Sequence, residues 1–194
     1  MKRVLLGIFL WGCVATCPLK AQNVVLKTNL FYGAYTLTPN LGVEFGLAKQ
    51  STLDIGAGYN PWNLAGSEGN NKKLVHLLGE IEYRYWLCEK FNGHFFGLHV
   101  LGASYNISQY ELPLLFGKGS KNFRFQGWAA GAGVSYGYQF ILGQHWNFEF
   151  NVGVGYVRLH YDKYDCEKCA NKLNTAQRDY FGPTRGALAF VYTF

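Results

Sequence analysis

Charge is scarce in this sequence of 194 residues. Asp, Glu, Lys and Arg together make up 15%, against roughly 25% in soluble domains. Long apolar runs are missing too. Past residue 21 nothing approaches the ~20 consecutive apolar residues of a spanning helix, which excludes a helical membrane protein. Basic residues are scattered, so the formal net charge of +6 makes no stripe or patch of the kind that binds nucleic acid. Cysteine occurs five times, and two of the five fall within the first 17 residues. Aromatic residues (18%) and Gly (24) are abundant instead. Little charge, many rings and many small residues fit a chain that alternates apolar with small polar positions.

The amino terminus reads as a cleaved signal peptide, residues 1–21. Lys2 and Arg3 form a positive start, Val4 to Val14 is an apolar run too short to cross a bilayer, and Leu19-Lys20-Ala21 offers a cleavage site. A lipoprotein anchored at Cys13 or Cys17 is the alternative. Removing Lys2, Arg3 and Lys20 lowers the net charge by three, and Cys88, Cys166 and Cys169 remain in a compartment that permits disulfides.

Residues 22–194 form one domain in which a period of two recurs. Over 146–157, Trp146, Phe148, Phe150, Val152, Val154 and Tyr156 share one parity, while Asn147, Glu149, Asn151, Gly153 and Gly155 share the other. In a strand the two sets point to opposite faces. Over 128–140, Trp128, Val134, Tyr136, Tyr138 and Phe140 oppose Gly127, Gly131, Gly133, Ser135 and Gly137. A face of glycines cannot fill a sandwich core, but it can line a narrow barrel. Strands are expected at 23–35, 40–48, 51–60, 74–87, 93–107, 123–140, 145–160 and 180–194. Strand five is ambiguous, since both its parities are apolar in the first half, and strand one breaks alternation at Val24-Val25 and Leu30-Phe31.

Short turns at Ala48–Gln50, Cys88–Asn92 and Ile141–Gln144 alternate with outer connections of which three, Asn60–Lys73, Ser108–Asn122 and Tyr161–Asp179, are long and polar and the first, around Thr38-Pro39-Asn40, is short. That asymmetry marks an outer-membrane barrel with short periplasmic turns and long outer loops. The expected fold is an eight-stranded antiparallel up-and-down transmembrane β-barrel, both termini periplasmic. Phe190, Tyr192 and Phe194 alternate to a terminal Phe, resembling the signal read by the barrel assembly machinery. Outer-membrane lipid and lipopolysaccharide are the other expected partners.

Segments across the chain strengthen this. Lys27-Thr28-Asn29, Pro39-Asn40-Leu41-Gly42-Val43-Glu44, Tyr59-Asn60-Pro61-Trp62, Glu82-Tyr83-Arg84-Tyr85-Trp86, Cys166-Glu167-Lys168-Cys169 and Tyr180-Phe181-Gly182-Pro183-Thr184 resemble a family of small outer-membrane barrels. It is catalogued as a domain of unknown function, mostly in Bacteroidetes. The resemblance implies class and place and transfers no activity. Some members sit beside surface-fimbria components, which adds surface or fimbrial proteins to the expected partners.

The lumen parity collects charge: Lys27, Glu44, Asp54, Glu80, Glu82, Arg84, Glu149 and Arg185. Three cations against five acids form a structural ion-pair network or a conductance pathway; the narrow bore favours the first. Glu80 and Glu82, two apart on one strand, have a spacing that can serve sugar hydrolysis, but a filled lumen admits no sugar. Cys166 and Cys169 read as a local disulfide stapling the last outer loop, with a redox pair and half of a zinc site as alternatives. Trp62, Trp86, Trp128, Trp146, Tyr59, Tyr138 and Tyr192 read as interfacial girdles. No catalytic group, metal ligand or cofactor site stands out, and no enzyme is expected. The function expected is a structural or interaction role, with the outer loops as a binding surface. A small pore or ligand conduit, or an enzyme modifying outer-leaflet lipid, is the alternative.

Overall fold

In the computed structural model the chain closes into a barrel of eight strands, each paired with its neighbours in sequence order. The structure describes residues 23–62, 72–111, 116, 119–165 and 171–194. The expected signal peptide and Cys166 and Cys169 lie outside the described residues. The strands are β1 (Val24–Asn29), β2 (Asn40–Gly46), β3 (Ser51–Asn60), β4 (Lys73–Trp86), β5 (Gly93–Ser108), β6 (Phe123–Ile141), β7 (Trp146–Asp165) and β8 (Lys172–Thr193). Every pair is antiparallel, and β1 with β8 closes the ring from Val25 opposite Thr193 to Asn29 opposite Ala189. The turns β2–β3, β4–β5 and β6–β7 are short and lie at one end with the start of β1 and the end of β8. That end is called the turn end below, and the other the loop end.

Two segments depart from the expected strands. The first strand stops at Asn29, and 30–36 form a helix, α1 (Leu30–Thr36). The paired apolar residues Leu30-Phe31 break the period of two, and Asn29 is a strong helix cap: its Oδ1 accepts from the Phe31 N–H at 3.0 Å. Leu37, in the left-handed region, ends the helix, its N–H donating to Gly33 O at 3.1 Å. At the other extreme, β7 and β8 run well past the expected 160 and 180. Much of the anticipated loop Tyr161–Asp179 is a polar ribbon held by cross-strand contacts, among them Lys172 Nζ on Asp162 at 2.7 Å. Strand length climbs from 6 residues in β1 to 22 in β8, so the loop-end rim is slanted.

Period-two burial gives the barrel an inverted polarity. On β6 and β7 odd-numbered residues point inward, and even-numbered ones such as Leu98 and Val100 on β5 or Val134 and Val154 point outward and are exposed. Strand five is thus resolved, with Phe95, Gly97 and His99 inside. One girdle residue is corrected: Trp86 is fully buried inside, because β4 turns its even residues inward and Trp86 shares parity with Glu82 and Arg84. Trp62, Trp128 and Trp146 are exposed. A bulge interrupts β8, where Gly153 faces Arg185 and Val154 faces Pro183. Pro183 has no N–H to give the ladder, so a bulge is tolerated there, and it turns consecutive Thr184 and Arg185 inward.

Candidate functional site: a layered barrel interior

The interior has three layers. At the turn end Val25, Trp86, Phe91, Phe95 and Val191 pack into an apolar floor. Glycine makes room for it: a Cβ on Gly137 would collide with the Phe95 ring. The Trp86 indole N–H is not stranded, since it donates to Thr52 Oγ1 at 2.9 Å.

Above the floor lies the charged layer. All eight residues singled out from the sequence point into it, and seven are buried; Glu80 is partly so. Arg84 is its hub. Its guanidinium donates to Glu82 at 2.5 Å, Glu44 at 2.9 Å, Asp54 at 2.8 Å, and both oxygens of Glu149 at 2.8 and 2.9 Å. The fork on Glu149 uses the planar geometry that distinguishes Arg from Lys. It links β4 to β7 across the bore. The cation also lies 4.5 Å from the Phe95 ring centre, tying the layer to the floor. Lys27 reaches Glu149 at 2.6 Å and also pairs with Glu44. Arg185, delivered by the bulge, meets Glu80 at 2.8 Å and Asp54 at 3.0 Å.

Neutral groups complete the layer: Thr52 donates to Glu44, Ser135 to Glu82 at 2.5 Å and Asn151 to Glu82 at 3.2 Å. His99 places Nε2 2.9 Å from Thr184 Oγ1. Every strand of the barrel contributes a side chain. Burying charges costs several kcal/mol per ion and is repaid only with good geometry and further hydrogen bonds; Arg84 meets those conditions with five hydrogen bonds, whereas Asp54 Oδ1 and Asn151 Oδ1 are left without a hydrogen-bond partner among the described residues. Glu80 and Glu82 are engaged by Arg185 and Arg84 rather than facing an open cleft. Ser135 and Asn151 already stood on the face read as inward from the sequence; Thr52, which shares the parity of Asp54, and His99 were not singled out, and Thr184 is turned inward only by the bulge.

The third layer, toward the loop end, contradicts the expectation of a polar lumen. Tyr105, Ile107, Phe125, Ala129, Val157 and Leu159 form a buried apolar cluster inside the barrel.

The remaining singled-out residues lie outside the interior. Phe190, Tyr192 and Phe194 sit at the turn end in edge-to-face contact with Phe148, Trp146 and Tyr192 respectively. Cys88 is a free, exposed thiol in the β4–β5 turn. His160 stacks on Trp128, and among the described residues no group of three or more His, Cys, Asp or Glu could hold a metal.

No curated protein and no solved structure matches the chain. One family does, over residues 5–194, nearly the whole sequence. The chain therefore belongs to the family described as Protein of unknown function (DUF3575).

Proposed function

We propose that the protein is an integral barrel of a bacterial outer membrane, a closed anchor that presents its loop-end surface outside the cell. The observation that carries this is the inverted polarity. Large apolar side chains stand exposed around the wall, among them Ile81, Leu98, Val100, Val134, Val152 and Val154 at 45–62% exposure, while the ions are buried inside. A monomeric soluble protein rarely exposes apolar surface on this scale, and hydrocarbon is the solvent that favours it. Aromatic residues such as Phe140, Trp146 and Phe194 gather at the turn end, and Tyr59, Trp62 and Trp128 toward the loop end, which supports two interfacial girdles.

The floor and the charged layer argue for an anchor over a pore. The loop end carries Lys72, Lys73, Lys121, Arg124, Lys163 and Lys172, suited to the anionic groups of lipopolysaccharide. Surface proteins, fimbrial ones included, are the proposed partners of the loops, and the barrel assembly machinery is the proposed route of insertion. The reading is of a binding and anchoring protein, not an enzyme.

Two measurements test it. After expression in a Gram-negative host, the protein should sediment with outer-membrane fragments and resist extraction at high pH; release into the soluble fraction would end the reading. In a variant with Cys166 and Cys169 replaced by Ser, an impermeant maleimide should label Cys88 only after the outer membrane is permeabilised. Labelling on intact cells would invert the orientation.

A further inference from the structure

The apolar third layer is not packed solid. Inside the loop-end half of the barrel lies a cavity of about 320 Å³ whose wall includes Leu74, Leu101, Ile107, Ala129, Val157 and Leu159. An apolar cavity of ~150 Å³ already stays dry and binds benzene, and ligand pockets begin at about 300 Å³. At ~30 Å³ per water-sized group, this cavity has room for roughly ten chain carbons.

Among the residues that line the cavity, one buried polar side-chain atom is without a partner, the Tyr105 hydroxyl. Tyr105 is 8% exposed, and its hydroxyl makes no hydrogen bond among the described residues. Leaving such a group unpaired costs about 1–3 kcal/mol, so an occupant that offers it an acceptor or donor is favoured. The base of the cavity is Glu80 and Thr184 of the charged layer, which leaves an apolar ligand no way on toward the turn end.

The wall has a seam. β1 pairs with β8 only as far as Ala189, whereas β7 continues along β8 to Lys172. Beyond Ala189 the place of β1 is taken by α1, which packs against β8. Asn29 bonds Gly186 O at 3.1 Å and receives the Leu188 N–H at 3.2 Å at the point where the ladder ends. Tyr32 and Thr36 of α1 and Tyr180, Pro183 and Thr184 of β8 all line the cavity. A helix–strand seam has no ladder to break, and Pro183 offers no N–H there. A parting of α1 from β8 along this seam would give onto the outer wall, which the membrane reading places in hydrocarbon.

We infer that the loop-end cavity is a binding site for a single acyl chain, admitted sideways between α1 and β8, with the hydroxyl of Tyr105 meeting the ligand's one buried polar group. Supply of the chain from a surrounding bilayer rests on the membrane reading above. Two sources share this chemistry: a free fatty acid and one chain of a phospholipid.

The test is photolabelling of the full chain, reconstituted in vesicles. One arm uses palmitic acid with a diazirine near its end, the other a phosphatidylethanolamine carrying the same chain, and labelled residues are mapped by mass spectrometry. Label is expected at interior Ile107, Phe125 or Leu159 as well as at outward Leu98 and Val154. The arm that gives interior label identifies the source. Excess unlabelled palmitic acid should lower interior labelling by palmitic acid at least tenfold and leave outward labelling alone. Filling the cavity with Ala129→Trp or, separately, Ala103→Leu should lower interior label at least fivefold in whichever variant folds, judged by retained heat-modifiable gel mobility. Tyr105→Phe should weaken competition several-fold while the cavity remains.

Label confined to outward residues in both arms overturns the inference and leaves the membrane reading standing. Label nowhere on the outward wall overturns the membrane reading itself. Interior label unchanged in a folded, filled variant also overturns the inference.

Discussion

Replacing Arg84 by alanine should remove a large fraction of the barrel's stability. Arg84 is fully buried and makes five hydrogen bonds to four carboxylates from β2, β3, β4 and β7. Deleting one partner of a buried ion pair costs about 3–5 kcal/mol, because the other charge is left uncompensated. Here Lys27 and Arg185 would be left to face five carboxylates. The lost contact with the Phe95 ring adds about 0.5–2 kcal/mol. A loss of about 4 kcal/mol or more is therefore expected. With a urea slope of ~2 kcal/mol/M, that moves the unfolding midpoint in lipid vesicles down by about 2 M, read by tryptophan fluorescence. Arg84→Lys keeps the charge but cannot fork onto Glu149 and should fall between the two. Adding Glu149→Gln to Arg84→Met should recover part of the loss by removing the carboxylate that held two of the five bonds. If Arg84→Ala costs under about 1 kcal/mol, the worth of an exposed pair, the layer is hydrated and the argument for a sealed interior fails.

Other outcomes follow from the same geometry. Gly137→Val should destabilise by about 1–3 kcal/mol through overpacking against Phe95, whereas Gly102→Ala, which meets nothing within 4 Å, should be neutral or slightly stabilising; equal effects in urea unfolding would refute the placement of the floor. In planar bilayers the barrel should show no steady conductance, since floor and charged layer both block the bore; a reproducible opening of fixed size would contradict that. At the far end of the β7–β8 ribbon, the hydrogen bond from Lys172 holds the Asp162 carboxyl below its usual value, with Thr175 adding to it. A depressed folded-state value stabilises the ribbon above the ordinary Asp range of ~3.9, and the contribution is lost as pH falls below it. Hydrogen exchange over 160–175 should therefore quicken, relative to the rest of β7, when pH drops from 7 to 3, and Asp162→Asn should abolish that difference; an unchanged difference in the variant would remove the pair as its cause.

Much of the barrel was legible because a strand with two unlike faces writes its orientation into alternate residues. Parity in β6 and β7 named the inward glycines and outward rings, and the eight charged residues of the middle layer were readable as a set because each sat on the inward parity of its strand. The same rule, followed strictly, puts Trp86 inside with Arg84; grouping it with the other tryptophans by residue type obscured this. The ambiguity of the fifth strand carried information of its own. In its first half both parities read as apolar because Phe95 turns inward into the floor while Phe96, Leu98 and Val100 stand exposed on the outer wall.

Alternation is a local property, and it says nothing about who stands opposite whom across the bore. That Arg84 meets Glu149 depends on closing the ring and on the stagger of its registers. The bulge at Pro183 aims Thr184 and Arg185 inward together, which no period of two anticipates. The slanted rim, the replacement of β1 by α1 beside β8, and the hollow lined by Leu101, Ala129 and Leu159 arise from packing residues far apart in the chain. Sequence thus determined which face most strand residues take, since that choice is made strand by strand wherever the alternation runs unbroken. Only the tertiary structure decided which charges neutralise one another and where space is left over, because both depend on distances between strands that alternation does not encode.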